Sequence, residues 1–592
     1  MHKYQEGFMD IKMILSASGW RKVFAESGNE QDRTSFIGDD NTAISILAAS
    51  AFSDYVKEAT KKENPVIILG MDARPTGPSI AEAAIKAFLA KNITPKFTGI
   101  VSAPEIMAYS RNADAFMYIS ASHNPIGHNG MKFGLSTGGV LSGAENSSLM
   151  EKFSLLYKED ACKEKALKLI SNIDEKKVSS IYELASDIKK EAEDSYRDFL
   201  KWTITGSDDP YEQERIFALL RKSILQKRIG VVCDMNGSAR AAGIDASFFS
   251  ENGIEFYAIN DKAGEIAHEI IPESENLVYV ADEMARLQKE GNTDAIIGYM
   301  PDCDGDRGNI VYWNRDSKKS VILKAQEVFS LSVLAELAYS RWLGEKNNAV
   351  CVNCPTSMRI EEIARKLEAK VFRAEVGEAN VVNLAAEKRF EGYNVRIFGE
   401  GSNGGTITYP SAVRDPLNTI FAIIKLLSIE ELLKSWCLST GSIFNEDFTL
   451  EDILQSIPKY TTTGVSEPRA ILHIATKDHS LLKSRFQNVF LNEWNEKKDL
   501  LFEKYGILFW EAVSTNGTKE KRKVNDFSTS GKGGLKIVFY NSSDNPVAFI
   551  WMRGSGTEPV FRIMCDVKGE NPDMEKALLE WESEMLLVAD RR

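Results

Sequence analysis

Three times along this chain, short apolar strands alternate with helical sequence and then break into a run of small and polar residues. In the first series, spanning residue 44 to about 139, residues 65–70 read as a buried strand, 79–91 as a helix and 115–119 as another strand. The second starts at 228–234 and passes through 295–300. The third opens with a helix after Leu323, shows strands at 349–352 and 394–398, and ends near Cys437. This alternation dictates α/β organisation, and open α/β sheets carry their sites at the C-terminal ends of strands. From about Thr449 the texture changes to a helical opening, strands at 535–540 and 547–551, and a closing helix from Asp573, which predicts a separate α+β domain.

At 592 residues the chain is too long for one core, and about 150 residues per domain suggests roughly four. The expected fold class is three similar mixed α/β-sheet domains plus a C-terminal α+β phosphate-binding domain around a central cleft. The boundaries fall at 1–226, 227–320, 321–448 and 449–592. Between about 142 and 226 lies a Lys/Glu-rich stretch of helical periodicity, which reads as a solvated elaboration of the first domain without chemistry of its own.

Composition narrows the function classes. No apolar run approaches the ~20 residues that a membrane span needs, so no membrane partner is expected. The first ten residues carry acids where a signal peptide wants a basic region. Seven scattered cysteines, an odd number, argue against a disulfide framework and favour a reducing, cytoplasmic location. A net charge of −13 argues against nucleic acid, which would need an extended basic surface, but leaves phosphorylated small molecules open because local arginines decide those.

Three loops carry the chemistry. Ser120-Ala121-Ser122-His123-Asn124-Pro125 follows an apolar strand, and a serine on such a loop can carry a covalent group once a base or a metal activates it. Asp302, Asp304 and Asp306 alternate along one tight loop with Gly305 in the turn, aiming three carboxylates at one hard cation. An EF-hand opens similarly, but its sixth and twelfth positions here hold Arg307 and Trp313 in place of glycine and glutamate, so that reading fails. Arg553-Gly554-Ser555-Gly556-Thr557 combines a guanidinium, two hydroxyls and flexible glycines, which suits a phosphate dianion, and Arg562 can add a second charge. A fourth loop, Gly399-Glu400-Gly401-Ser402-Asn403-Gly404, has the spacing of a dinucleotide fingerprint. Strand-like, proline-stopped sequence follows it where a helix would have to begin, so that reading is rejected. Cys351 and Cys354 form a C-x-x-C without a second pair for zinc and read as structural thiols. Of the six histidines only His123, beside Ser122, has a claim, with His128 weaker.

In this order, with Ser18-Gly19-Trp20-Arg21 and Gly70-Met71-Asp72-Ala73-Arg74 ahead of them, the motifs resemble the alpha-D-phosphohexomutase family, the phosphoglucomutases and phosphomannomutases, over nearly the whole chain. The resemblance implies that Ser122 is the phosphoserine, that Mg²⁺ sits on Asp302, Asp304, Asp306 and an oxygen of phosphorylated Ser122, and that Lys132 shuttles a proton. Arg21, Arg307 and His123 complete the catalytic set. Glu400 and Ser402 would grip sugar hydroxyls with Arg414-Asp415 in support, while Arg553, Ser555, Gly556, Thr557 and Arg562 bind the phosphate that does not react. The implied reaction interconverts glucose 1-phosphate and glucose 6-phosphate through glucose 1,6-bisphosphate, in a monomer or weak homo-oligomer. Phosphomannomutase or dual specificity is the alternative, and phosphoglucosamine mutase the next. The departures are Ser16-Ala17 ahead of Ser18, Lys22 after Arg21, Ala379 where many members carry lysine, and Asn403-Gly404-Gly405 in the sugar loop.

Overall fold

The computed structural model describes residues 13–16, 18–445, 448–554 and 560–591. Four sheets organise them. The first has six strands in the order Ile14–Ser16, Gly19–Val23, His128–Leu135, Ala115–Ile119, Val66–Met71 and Thr94–Ile100. The second has five, ordered Lys319–Ile322, Asn309–Asn314, Ala295–Met300, Gly230–Asp234 and Glu255–Ile259. The third has four: Lys370–Ala374, Asn348–Asn353, Asn394–Glu400 and Gly405–Thr408. The fourth has seven and is antiparallel around Gly534–Tyr540, Pro546–Gly554 and Val560–Lys568.

The first three sheets share one plan. A central strand pairs in parallel with a neighbour on each side, and the last of these parallel strands turns back into an antiparallel partner. Ser122, the three aspartates, and the Glu400–Ser402 pair all occupy that same reversal, between 119 and 128, 300 and 309, and 400 and 405 respectively. The parallel strands are apolar because helices cover them, so each chain reversal lies where the buried strand runs out.

By packing, the chain forms two compact units. One comprises residues up to Leu323 with Pro410–Phe421, the other Lys324–Tyr409 with Ala422 onward. Pro410–Phe421 therefore belongs by packing to the first unit, although the chain on both sides of it belongs to the second.

In the first unit Trp20, Phe52, Phe133 and Phe153 interlock with ring centroids 4.8–5.0 Å apart. The Trp20 indole donates to Asn146 Oδ1 at 3.0 Å. Asn146 and Phe153 belong to the helix Gly143–Tyr157, and Cys162, Ala166 and Val178 of the next two helices join the same core. The 142–226 stretch is thus more than a solvated elaboration: one face of its helices completes the first core. All seven cysteines are free and buried. No described helix is long and apolar enough to cross a membrane.

In the second unit Glu336, 1% exposed, accepts from Arg396 Nε and Lys425 Nζ, each at 2.5 Å. Removing one member of a buried charge cluster strands the others in low dielectric. Glu336→Ala is therefore expected to cost about 3–5 kcal/mol, read as a lower urea midpoint for the second unit.

Candidate active site

Ser122 follows the fully buried strand Ala115–Ile119 and adopts φ +52°, a left-handed conformation that costs a non-glycine residue energy unless its surroundings enforce it. The surroundings do. Its N–H donates to Ser120 Oγ at 2.9 Å, and its carbonyl accepts from Arg74 Nη2 at 2.6 Å. Arg74, 1% exposed, also donates to the carbonyls of Asn124 and Pro125 at 2.6 Å and of His128 at 3.0 Å, while Asp72 balances its charge at 3.2 Å. One guanidinium thus staples the whole serine loop. Gly130 lets the returning strand approach, since a Cβ there would stand 2.2 Å from the Trp20 carbonyl.

The Ser122 hydroxyl donates to Asp302 Oδ2 at 2.7 Å, and His123 Nδ1 lies 3.4 Å away. Asp302, Asp304 and Asp306 are buried, with one ligand oxygen from each lying within 4.8 Å of the others. Asp304 Oδ1 and Asp306 Oδ1 are buried without a hydrogen-bond partner. Three carboxylates held this close, with two orphaned oxygens, are costly unless a cation completes them, so this donor set fits a hard divalent metal.

Basic groups surround the cluster. Lys132 Nζ is 2.6 Å from Asp304 and 3.7 Å from Asp306, Arg414 Nη2 donates to Asp306 at 2.7 Å, and Arg307 Nε is 3.8 Å from Asp302. Arg21 lies beside Lys132 across Gly19, and its field is felt by His123 and Lys132. Burial together with Asp304 and Asp306 pushes the Asp302 carboxyl up. Burial acts on Asp304 in the same sense, but Lys132, the hydrogen bond with Asp302 and Arg414 together outweigh it and hold that carboxyl low. Burial would lower the Lys132 ammonium, yet Asp304 and Asp306 raise it on balance.

The structure therefore brings Ser122, His123, Lys132, Arg21, Arg307 and the three aspartates together within the first unit. Arg414 joins them. This departs from the sequence expectation for Arg414-Asp415, which set the pair in support of the sugar loop.

The remaining candidates lie in the second unit. Glu400 Oε1 accepts from Asn353 Nδ2 at 3.1 Å and from the Gly377 N–H at 2.8 Å, while Oε2 accepts from Asn403 at 3.2 Å. Asn353 also donates to Ser402 Oγ at 3.0 Å, so one amide holds the Glu400–Ser402 pair. Arg553 and Arg562 are cross-strand partners in register, hence on one face of the sheet. Arg562 Nη1 is tied to the Val465 carbonyl at 2.7 Å, and Arg553 Nε lies 3.0 Å from Glu375. Ser555, Gly556 and Thr557 lie outside the described residues.

Arg74, Glu375 and Asn353 escaped the sequence reading as functional positions. So did His479, whose ring packs against Gly554 so closely that a Cβ there would stand 2.1 Å from it. Only Arg74 left a signal, through the motif that contains it.

His123 is held neutral. Arg307 foremost, then burial, then Arg21 and Arg414 disfavour its protonation and bring its pKa down to about 2. In the dephosphorylated protein its imidazole NMR resonances are expected to show no titration between about pH 5 and 8, the range in which an ordinary histidine titrates.

The Phosphoglucomutase/phosphomannomutase alpha/beta/alpha domain I model matches residues 17–158, and the domain III model of the same family matches residues 330–449. A phosphoglucosamine mutase of Thermodesulfovibrio yellowstonii is 24% identical over 529 residues, 87% of this chain and 88% of that protein. A phosphoglucomutase/phosphomannomutase of Thermococcus kodakarensis is 24% identical over 539 residues, covering 90% and 92%. Among solved structures, the Paramecium phosphoglucomutase parafusin shares the fold with a TM-score of 0.63 at 15% identity, covering 98% of this chain and 95% of that one. A phosphoglucomutase/phosphomannomutase family protein of Burkholderia thailandensis gives 0.61 at 18% identity, covering 98% and 97%. The chain thus carries domains I and III of the phosphoglucomutase/phosphomannomutase family, whose members are intramolecular phosphotransferases, and shares the fold of these solved structures.

Proposed function

We propose that this enzyme interconverts the 1- and 6-phosphates of a hexose, glucose in the first instance, with Ser122 as the phosphoryl carrier. The observation that carries the proposal is the Ser122 hydroxyl bonded at 2.7 Å to a buried three-aspartate cluster flanked by Lys132 and arginines. In the first half-reaction the bond from phosphorus to Ser122 Oγ breaks and a bond from phosphorus to a sugar hydroxyl oxygen forms. The hydroxyl proton is given up through Lys132 in its neutral form, the departing Ser122 oxygen takes up a proton, and the product is a hexose 1,6-bisphosphate. In the second half-reaction the other phosphate returns to Ser122 and the sugar oxygen regains a proton.

Asp302, Asp304 and Asp306 would hold Mg²⁺, which supplies charge neutralisation for the phosphoryl oxygens. Lys132 is the proton carrier of this reading. The charge of Asp304 and Asp306 keeps its proton in place, and neutralising that charge frees the proton for exchange with a sugar oxygen. Arg21 and Arg307 direct positive charge at the phosphoryl group, and phosphoryl transfer demands chiefly such positioning and charge. Glu400 and Ser402 are the sugar-hydroxyl ligands of the reading, and Arg553, Arg562, Ser555, Gly556 and Thr557 the anchor for the idle phosphate. The domain division at 226, 320 and 448 belongs to the same proposal.

A second reading takes glucosamine phosphate as the substrate. The names of the relatives from Thermodesulfovibrio yellowstonii and Methanococcus vannielii, both phosphoglucosamine mutases, favour it. Coupled assays on glucose, mannose and glucosamine 1-phosphates, each with a trace of bisphosphate, separate the substrates. The highest kcat/KM on glucosamine 1-phosphate would overturn glucose as the substrate.

Ser122→Ala is expected to lower turnover by at least about a thousandfold with the fold intact, and intact-mass analysis should find one phosphate on the wild type and none on the variant. Residual mutase activity near the wild-type level would rule the carrier out. Arg553→Ala removes a charge-assisted contact worth roughly 1.5–3 kcal/mol, so kcat/KM should fall at least about tenfold for both phosphate isomers. Ser122 should remain phosphorylatable in that variant.

A further inference from the structure

Behind the metal loop lies a buried polar network in which no member touches the reacting groups. Arg240, 1% exposed, donates from Nη1 to the Gly305 carbonyl at 2.9 Å and from Nε to Asp245 Oδ2 at 2.8 Å. Its Nη2 donates to Tyr196 Oη at 3.1 Å and to Asp415 Oδ1 at 3.3 Å. The Tyr196 hydroxyl in turn donates to Asp415 Oδ2 at 2.7 Å. Gly305 has φ +73°, and a Cβ there would stand 2.5 Å from Arg240 Cγ, so the arginine lies directly on the turn between Asp304 and Asp306.

Two further links reach the same loop. Asp415 adjoins Arg414, the donor to Asp306. Lys189 pairs at 2.5 Å with Glu105, which is fully buried, and Glu105 belongs to the helix Ala103–Tyr109. The first N–H of that helix donates to the Asp304 carbonyl at 2.8 Å.

Tyr196 and Lys189 both belong to the helix Ala185–Thr205, inside the 142–226 stretch. We infer that this helix is a positioning element for the metal loop, in which Tyr196 acts through Asp415 and Arg240, and Lys189 acts through Glu105. The inference rests on the reading of Asp302, Asp304 and Asp306 as a cation site. Converging carboxylates repel one another, and groups hydrogen-bonded in low dielectric behind the ligands hold such a loop in the shape a cation needs. Tyr196→Phe keeps the ring and its packing but removes the hydroxyl donated to the Asp415 carboxylate, so it separates hydrogen-bond positioning from simple packing.

The test is Mn²⁺ binding to the dephosphorylated full-length protein, followed by the electron paramagnetic resonance of free Mn²⁺. The wild type should bind one ion, and Asp304→Asn should abolish binding. Tyr196→Phe and Lys189→Met should each weaken binding roughly tenfold, the scale of outer-ligand substitutions at metal sites. They should raise the Mg²⁺ concentration for half-activation by the same factor, while kcat at saturating Mg²⁺ and KM for the hexose phosphate stay within about twofold. Leu200→Ala, a buried apolar position on the same helix outside the network, should lower the melting temperature yet keep wild-type Mn²⁺ affinity. Unchanged affinity in folded Tyr196→Phe, or an equal loss in Leu200→Ala, overturns the inference. If Tyr196→Phe does not fold, Lys189→Met decides, since the lysine side chain is partly exposed. A wild type that binds no Mn²⁺ overturns the metal reading instead.

Discussion

Three buried carboxylates converging within a few ångströms are the constraint on which the first unit is built. Water cannot stabilise them there, so the chain itself must supply positive charge, and it does so from four separate places. Arg21 comes from the N-terminal hairpin, Lys132 from the strand after the serine loop, Arg307 from the metal loop itself, and Arg414 from the Pro410–Phe421 segment. Their placement follows from the need to offset buried negative charge before any substrate arrives. Two carboxylate oxygens still lack a partner, and this residual imbalance is what makes the cluster receptive to a metal.

The three α/β sheets solve one geometric problem three times. Each sends an apolar parallel strand out of its core, reverses it, and pairs the return antiparallel, so the reversal is a fixed address to which different chemistry has been fitted. A serine occupies it in one sheet, three aspartates in the next, and a carboxylate with a hydroxyl in the third. The fold accounts for where these loops are, and the side chains for what each can do.

What was legible in the sequence was whatever is written locally. Ser122 sits in a short run of turn-forming residues after an apolar strand, and Asp302, Asp304 and Asp306 alternate along five positions, so strand, loop and ligand set can all be read from contiguous text. Arg74 belonged to a recognised motif, yet its work of holding four carbonyls about fifty positions away carries no local pattern. Tyr196 is harder still. It lies in a helix whose Lys/Glu-rich face reads as solvated, and its partner Asp415 is 219 positions along the chain. The family resemblance makes Arg414 and Asp415 a support of the sugar loop, whereas packing carries their segment to the first unit, where Arg414 pairs with Asp306. Such errors arise where a contact is made by tertiary packing and neither periodicity nor turn chemistry records it.

The detour of Pro410–Phe421 means that the proposed phosphoryl-transfer centre is not encoded in one continuous stretch of chain. A ribosome that has made everything through Leu323 has produced the serine, the aspartates and Lys132, but neither Arg414 nor Asp415. Until some ninety residues more have emerged, Asp306 lacks its arginine and Arg240 one of its two carboxylates. The first unit thus waits on the synthesis of part of the second before its charges balance. Its maturation is tied to the order of translation, and a chain cut anywhere between the two segments would retain the reactive groups without the counter-charges that make their burial tolerable.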